Sequence, residues 1–179
     1  PSGLRFTIGE MLVSGGAFKS FMLPDSIPDP VVIVGPPSAF STEPGVVAIR
    51  NVSSGGFDVK LKEWNYLNDE HPAEKASFMV WREGRYSLPD GAVIEVGKFN
   101  TGGALNIPGL QFGESFAGVP HVFLTPQTSN GADTIAVRAL NLSNTGFDVL
   151  MQEQESNTDG RHVNEIIGYV AIYNPAGNG

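Results

Sequence analysis

The sequence repeats itself at an offset of ninety residues. Residues 51–59 read Asn-Val-Ser-Ser-Gly-Gly-Phe-Asp-Val, and residues 141–149 read Asn-Leu-Ser-Asn-Thr-Gly-Phe-Asp-Val. The same register aligns Pro30 with Pro120. Self-similarity at a fixed period is the signature of a repeated structural unit. The chain therefore contains two copies of one unit, and any fold proposed for it must be built twice.

A turn-rich stretch, Gly84–Gly91, separates the two copies. Its last three residues are Pro-Asp-Gly, a combination that favours a tight turn. We therefore predict two domains, residues 1–85 and residues 86–179. Because the linker is short, we expect the domains to pack against each other or to hold a restricted angle.

Within each copy the apolar residues alternate with polar ones. Residues 57–62 alternate between apolar and charged side chains, and residues 147–152 alternate in a similar way. A period of two indicates a strand with one buried face. Further β-branched or apolar runs occupy residues 31–34, 46–49, 76–81, 122–124, 135–140 and 166–172. About six strands per copy result, and we predict an all-β protein of two tandem six-stranded antiparallel β-sandwich domains.

The charge and the composition exclude several classes of partner. The net charge of −8 repels phosphate backbones and anionic lipid, so we expect neither nucleic acid nor membrane insertion. No apolar run approaches the roughly 20 residues that a spanning helix needs. With no cysteine, disulfides and thiolate chemistry are excluded. The acidic, lysine-poor composition favours a location outside the cell or on its surface.

Three stretches of the second copy resemble the H-type lectin domain. They are Phe116–Val122 with its F-x-x-x-P-x-V spacing, Asn141–Phe147, and the closing apolar strand Glu165–Ile172. The first copy shows the same order of motifs. The resemblance covers nearly the whole chain. The first copy is similar to tandem units of large bacterial surface or secreted proteins.

The resemblance implies a six-stranded antiparallel sandwich that commonly trimerises. It also implies shallow sites between protomers for sugars of the N-acetylgalactosamine type, which use an Asp from an early loop and an Arg from a middle strand. In the second copy these positions correspond to Asp133 and Arg138. The first copy has Ala48 opposite Arg138, and Arg50 lies two positions further on the same face of the strand.

A cluster of polar and aromatic residues follows the alternating strand in each copy. Carbohydrate sites combine a flat aromatic face with fixed hydrogen-bonding groups, so these residues are candidates for sugar binding. The alternative is that they cap a loop and pair across strands. The candidates are Glu63, Trp64, Tyr66, Asp69 and His71 in the first copy, and Glu153, Glu155, Asp159 and His162 in the second.

A calcium ion is a lesser alternative for the same loops. Residues 68–70 and 157–159 are rich in oxygen ligands, with Asp69 and Asp159 as the weak calcium candidates. Neither loop has the spacing of an EF-hand. We expect no obligatory cofactor.

No motif of a common enzyme class is present. The chain lacks an H-E-x-x-H helix, a G-x-S-x-G elbow, a P-loop and a G-x-G-x-x-G loop. His71 is followed by Pro72, which disfavours a metal-binding helix there. Small sandwiches give no sign of the cleft that a pair of catalytic carboxylates requires. We therefore predict a protein without catalytic activity.

Two functions fit these observations. The first is an extracellular carbohydrate-binding or adhesion protein that holds a glycan or polysaccharide in shallow sites and gains avidity from duplication. The second is a structural repeating unit of an extracellular fibre, surface layer or phage-like appendage. In both cases we expect a homo-oligomer or contacts with neighbouring repeats of a larger protein.

Overall fold

The protein is all-β, as the alternating pattern predicts. The computed structural model describes residues 3–153 and 161–176, and in that part of the chain no helix is present. It follows that no helix there could cross a membrane. The strands are β1 (Phe6–Val13), β2 (Lys19–Met22), β3 (Pro30–Pro37), β4 (Gly45–Ser53), β5 (Gly56–Glu63), β6 (Glu74–Arg82), β7 (Gly84–Ser87), β8 (Val93–Asn100), β9 (Asn106–Gln111), β10 (His121–Pro126), β11 (Ala136–Leu140), β12 (Gly146–Gln152) and β13 (Ile166–Tyr173).

The first six strands form two three-stranded antiparallel sheets. Their orders are β1-β6-β3 and β2-β5-β4. Alternate side chains of both sheets share one apolar cluster that includes Val32, Leu61, Phe78 and Val80. Leu61 and Val80 are completely buried because their strands present them to the interior.

The last six strands reproduce this arrangement. Their sheets have the orders β8-β13-β10 and β9-β12-β11, and β7 extends the first of these at the edge of β8. Phe147, Val149 and Ala171 lie in the core of this half. Strand β7 occupies part of the stretch predicted as a turn-rich linker, and only the turn at residues 88–92 matches that expectation.

The apolar runs predicted as strands do not include β1, β2, β7, β8 or β9. Two of these, β2 and β9, are edge strands without an apolar pattern. Both are short and largely exposed, so they carry no alternating apolar signal. Strand β9 also contains Pro108 and Gly109, which indicate a turn rather than a strand. Proline is tolerated at an edge because one side of an edge strand needs no backbone donor.

The repeated Asn-x-Ser segments form equivalent turns before β5 and β12. Asn51 and Asn141 adopt left-handed backbone conformations, with φ of 52° and 49°. Their side chains donate to Asp58 and Asp148 over 2.8 and 2.6 Å. Asparagine tolerates this conformation better than most residues, which explains why it recurs at the same place in both repeats.

The two repeats are joined by a second apolar cluster, which we call the inter-repeat cluster. Its buried members are Val31, Ile33, Trp81, Tyr86, Ile94, Val96 and Val170. The first three come from β3 and β6 of the first repeat, and the last three from β8 and β13 of the second. Trp81 lies in this cluster and stacks on Phe6 with ring centroids 4.6 Å apart. The expectation that the copies pack against each other is confirmed.

A buried glutamine completes the contact between the repeats. The Gln127 carboxamide accepts from the backbone N–H of Val32 and donates to its carbonyl oxygen, both over 2.8 Å. Thr125 Oγ1 accepts from the backbone N–H of Val34 over 3.1 Å. These side chains satisfy the outer edge of β3, whose backbone groups would otherwise be buried without partners.

We predict that Gln127→Ala lowers the free energy of unfolding by about 2–4 kcal/mol. The substitution leaves the buried N–H and C=O of Val32 without their partners, and each such loss costs about 1–3 kcal/mol. Urea denaturation measures the change. Gln111→Ala, at an exposed position on β9, serves as the matched control and is expected to change stability by less than about 0.5 kcal/mol. Equal effects of the two substitutions would contradict this role of Gln127.

Candidate functional site

Three of the predicted site residues of the first repeat, Glu63, Trp64 and Asp69, line a cleft that also includes a residue of the second repeat. The cleft has a volume of about 290 Å³. We call it the inter-repeat cleft; its lining is Lys60, Lys62, Glu63, Trp64, Asn65, Leu67, Asn68, Asp69 and Ala132. Ala132 belongs to the second repeat, so the cleft exists only because the repeats are packed together.

A tight turn after β5 places Trp64 at this cleft. The backbone N–H of Leu67 donates to the Trp64 carbonyl oxygen over 2.9 Å, which closes the turn. The Asn65 carboxamide donates to Asp133 Oδ1 over 2.5 Å and so joins the turn to the second repeat. Trp64 is partly exposed, as its break with the inward alternation of β5 predicts. The turn that carries Trp64 is therefore held in place, and the residue is partly accessible.

Two lysines bring positive charge to the floor of the cleft. Lys60 Nζ forms an ion pair with Asp69 over 2.5 Å and also donates to the Gly16 carbonyl oxygen. Lys62 Nζ donates to the carbonyl oxygens of Gly131 and Asp133, both over 3.0 Å. Burial lowers the pKa of Lys62, as does the positive charge of Lys60, against the attraction of nearby carboxylates. The lysines hold the loops of both repeats around Trp64.

Glu63 and His71, two of the predicted site residues, are buried and bind backbone. Glu63 Oε2 accepts from the N–H of Asp69 over 2.8 Å. The two ring nitrogens of His71 lie 3.0 and 2.9 Å from the carbonyl oxygens of Pro72 and Glu43, and both can donate at once only when the imidazole is protonated. These contacts favour the loop-capping interpretation for both residues.

Glu74 is a fully buried carboxylate that caps the loop after β3. It accepts from the Ser38 hydroxyl over 2.5 Å and from the backbone N–H groups of Phe40 and Ser41 over 3.1 and 2.8 Å. Burial alone would raise its pKa, but the Ser38 hydroxyl, the two N–H donors and the neighbouring His71 together lower it. Glu165 caps the equivalent loop of the second repeat and accepts from Thr128 and from the N–H groups of Asn130 and Gly131.

The second repeat has a related buried cluster. His162 Nδ1 lies 2.5 Å from Glu153 Oε1, and its Nε2 lies 3.4 Å from Glu165 Oε1. Ligand atoms of Asp133, Glu153 and His162 lie within 4.8 Å of one another, a grouping that could hold a divalent cation. The histidine therefore lies between two buried carboxylates.

The remaining predicted residues lie elsewhere. Tyr66 is 66% exposed and does not line the inter-repeat cleft. Arg50 lies on β4, 3.6 Å from Asp58 and over the ring of Phe18, while Arg138 is exposed on β11. Asp133 does not line the cleft but contacts two residues that do, Lys62 and Asn65, and both arginines lie outside it.

The calcium candidates differ in their surroundings. Asp69 forms an ion pair with Lys60, so in the first repeat a lysine ammonium lies beside the carboxylate that was predicted as a weak calcium ligand. Asp159 and Glu155 lie outside the described residues.

Sequence reasoning missed Lys60, Asn65 and Asn68 as cleft residues. The alternating pattern marks Lys60 only as an outward-facing strand residue, Asn68 belongs to a loop rich in oxygen ligands, and Asn65 belongs to no predicted motif. The contact between Asn65 and Asp133 joins residues 68 positions apart, which no local pattern reveals. The position of Asn65 directly after the outward-facing Trp64 was the one available signal.

Comparison with known proteins gives a partial likeness. The chain is 34% identical over 167 residues to Halomucin of Haloquadratum walsbyi, a match that covers 87% of this chain. The chain spans only about 2% of the length of that relative. No family model matches the sequence. No solved structure matches it either.

We predict opposite pH dependences for the stability contributed by His71 and by Glu74. Burial alone would lower the pKa of His71, but the carbonyl oxygens of Pro72 and Glu43 and nearby carboxylates raise it. Its contribution is therefore full below about pH 6.5, the unfolded value, and is lost as the pH rises through the raised folded pKa. The contribution of Glu74 is present above about pH 4.3 and is lost as the pH falls through its lowered folded pKa.

The measurement compares urea denaturation of the wild type with His71→Gln and Glu74→Gln between pH 3 and pH 9. The stability difference for His71→Gln should shrink toward high pH, and that for Glu74→Gln should shrink toward low pH. Two differences that stay constant across this range would show that neither group titrates as these contacts require.

Proposed function

We propose that the chain is an extracellular carbohydrate-binding or adhesion protein, built as two tandem six-stranded β-sandwich domains of the H-type lectin kind, without catalytic activity. The inter-repeat cleft is its binding site. The observation that carries this proposal is the partly exposed Trp64, which lines the cleft together with amide, carboxylate and ammonium groups in a turn that Asn65 joins to the second repeat.

The chemistry of the cleft suits a sugar ring. An aromatic face packs against the apolar side of a pyranose, and fixed polar groups bind its hydroxyls. Asn68 and Asp69 supply such groups beside Trp64. The ion pair between Lys60 and Asp69 holds the Asp69 carboxylate in a defined position. A cleft of about 290 Å³ accommodates one sugar unit rather than a long chain, which fits shallow binding to exposed glycans.

The likeness to Halomucin supports the proposed location. The name of that relative describes it as a mucin, and mucins are extracellular proteins. The acidic net charge of −8 agrees with a solvated surface protein. Contacts with a glycan or polysaccharide, and with neighbouring repeats or further copies of the chain, follow from the same proposal.

The decisive experiment is a glycan and polysaccharide binding screen of the chain, with and without calcium, followed by titration of any hit. Trp64→Ala should weaken binding by about tenfold or more, since loss of an aromatic contact removes roughly 1.4 kcal/mol. Tyr66→Ala is the matched control, because this exposed aromatic belongs to the same turn but not to the cleft. It should leave affinity within about twofold.

Three results would count against the proposal. They are no binding by the folded chain, equal loss in both variants, and loss in Tyr66→Ala alone. A hit that depends on calcium would add a cation to the site and would redirect attention to Asp133, Glu153 and His162.

A structural role as a repeating unit of an extracellular fibre, surface layer or phage-like appendage is the second candidate. The observation that favours it is the set of large apolar side chains left exposed on the sheets, among them Ile8 and Phe123. Exposed apolar patches commonly mark contact surfaces. A folded chain that assembles but binds no glycan would support this role instead.

A further inference from the structure

The two repeats use different parts of the same sheet face to contact each other. In the first repeat, cross-strand rows on the outer face of β1-β6-β3 are Phe6–Trp81–Val31 and Ile8–Met79–Ile33. In the second repeat, the register of β8-β13-β10 gives the equivalent rows Ile94–Ile172–His121 and Val96–Val170–Phe123. Each position therefore has an exact structural counterpart whose burial can be compared.

Burial is reversed between the counterparts. Ile33 of the first repeat is 5% exposed, whereas its counterpart Phe123 is 41% exposed. Ile8 is 70% exposed, whereas its counterpart Val96 is 2% exposed. The β3 side of the first repeat thus packs on the β8 side of the second. The contact is head to tail, since different patches of the same unit meet.

Because the contact is head to tail, each repeat has one sheet side that the other repeat does not cover. The first repeat keeps a free β1 side with Phe6 and Ile8, of the kind that the second repeat buries. The second repeat keeps a free β10 side with His121 and Phe123, of the kind that the first repeat buries. The uncovered β1 side is therefore equivalent to the buried β8 side, and the uncovered β10 side is equivalent to the buried β3 side.

The two free sides open into one groove. Ile8, Met79 and Ile33 line one wall of this groove, and Val122, Phe123 and Leu124 line the other. Its volume is about 800 Å³, and most of its lining is apolar. A single body placed there would contact both free sides at once.

We infer that this groove is the docking site for a third repeat of the same kind, supplied by a longer polypeptide. The third repeat places its β3-type side on Phe6 and Ile8 and its β1-type side on Phe123. The existing contact between the repeats shows what covers each side, because the same sheet positions are already paired within this chain. Halomucin, of which the matched region is about 2%, has ample length for further repeats.

The test extends the full chain by one repeat and measures the accessibility of the groove. Residues 83–179 are repeated directly after Tyr173, which aligns with Arg82, so that the new junction copies the Arg82–Glu83 junction. Because the chain has no cysteine, single substitutions Ile8→Cys and Phe123→Cys, the latter in the second repeat, provide unique thiols. Met22→Cys is the control, since this exposed residue lies on the opposite sheet.

We expect maleimide labelling at Ile8→Cys and Phe123→Cys to be rapid in the two-repeat chain. In the three-repeat chain, labelling at both positions should be slower by about tenfold or more, because reaction then requires local opening. Labelling at Met22→Cys should be the same in both chains. Sedimentation velocity should show that the three-repeat chain is a compact monomer.

Unchanged labelling at Ile8→Cys would overturn the inference. This includes the result in which only Phe123→Cys is protected, because the third repeat would then cover the second repeat alone and the three repeats would form a row. An added repeat that stays unfolded would also overturn it, since the same residues fold here against a β3-type side. The inference would also be wrong if labelling of the two-repeat chain became slower at high protein concentration and the added third repeat caused no further decrease. The groove would then bind a second copy of the chain.

Discussion

Val31 and Ile33 face the second repeat while Val32 faces the core of the first, so β3 is buried on both sides. Burial of each such side chain contributes about 1.5–3 kcal/mol. This doubly buried strand fixes the relative position of the two repeats. The remaining surfaces of the protein, including the inter-repeat cleft and the apolar groove, take their shape from that contact.

Polar side chains make the contact directional. Gln127 and Thr125 bind the backbone of β3, and Lys62 and Asn65 reach back to the loop at Asp133. Hydrogen bonds of this kind require one geometry, whereas apolar packing tolerates several. The result is a fixed cleft at Trp64, in which a binding site can be preorganised rather than formed on contact with a ligand.

Duplication has produced two units that are alike in fold and different in use. The Glu74 and Glu165 carboxylates, each three residues after a histidine, cap equivalent loops in the same manner. Lys60, which pairs with Asp69, corresponds to Leu150 in the second repeat. The polar cluster there relies on His162 between two carboxylates. A shared loop-capping device has therefore been kept while the neighbouring surfaces have diverged.

The sequence by itself determined the strands that carry alternating apolar residues, the duplication, and the turns at Asn51 and Asn141. These features follow from local periodicity and from backbone preferences, which short segments express on their own. Edge strands β2 and β9 escaped because exposed strands need no apolar alternation. Only the tertiary structure decided that Asn65 meets Asp133, that Glu63 and His71 turn inward, and that Ile8 is exposed while Val96 is buried. Contacts between distant segments depend on how whole sheets pack, and no spacing along the chain records that.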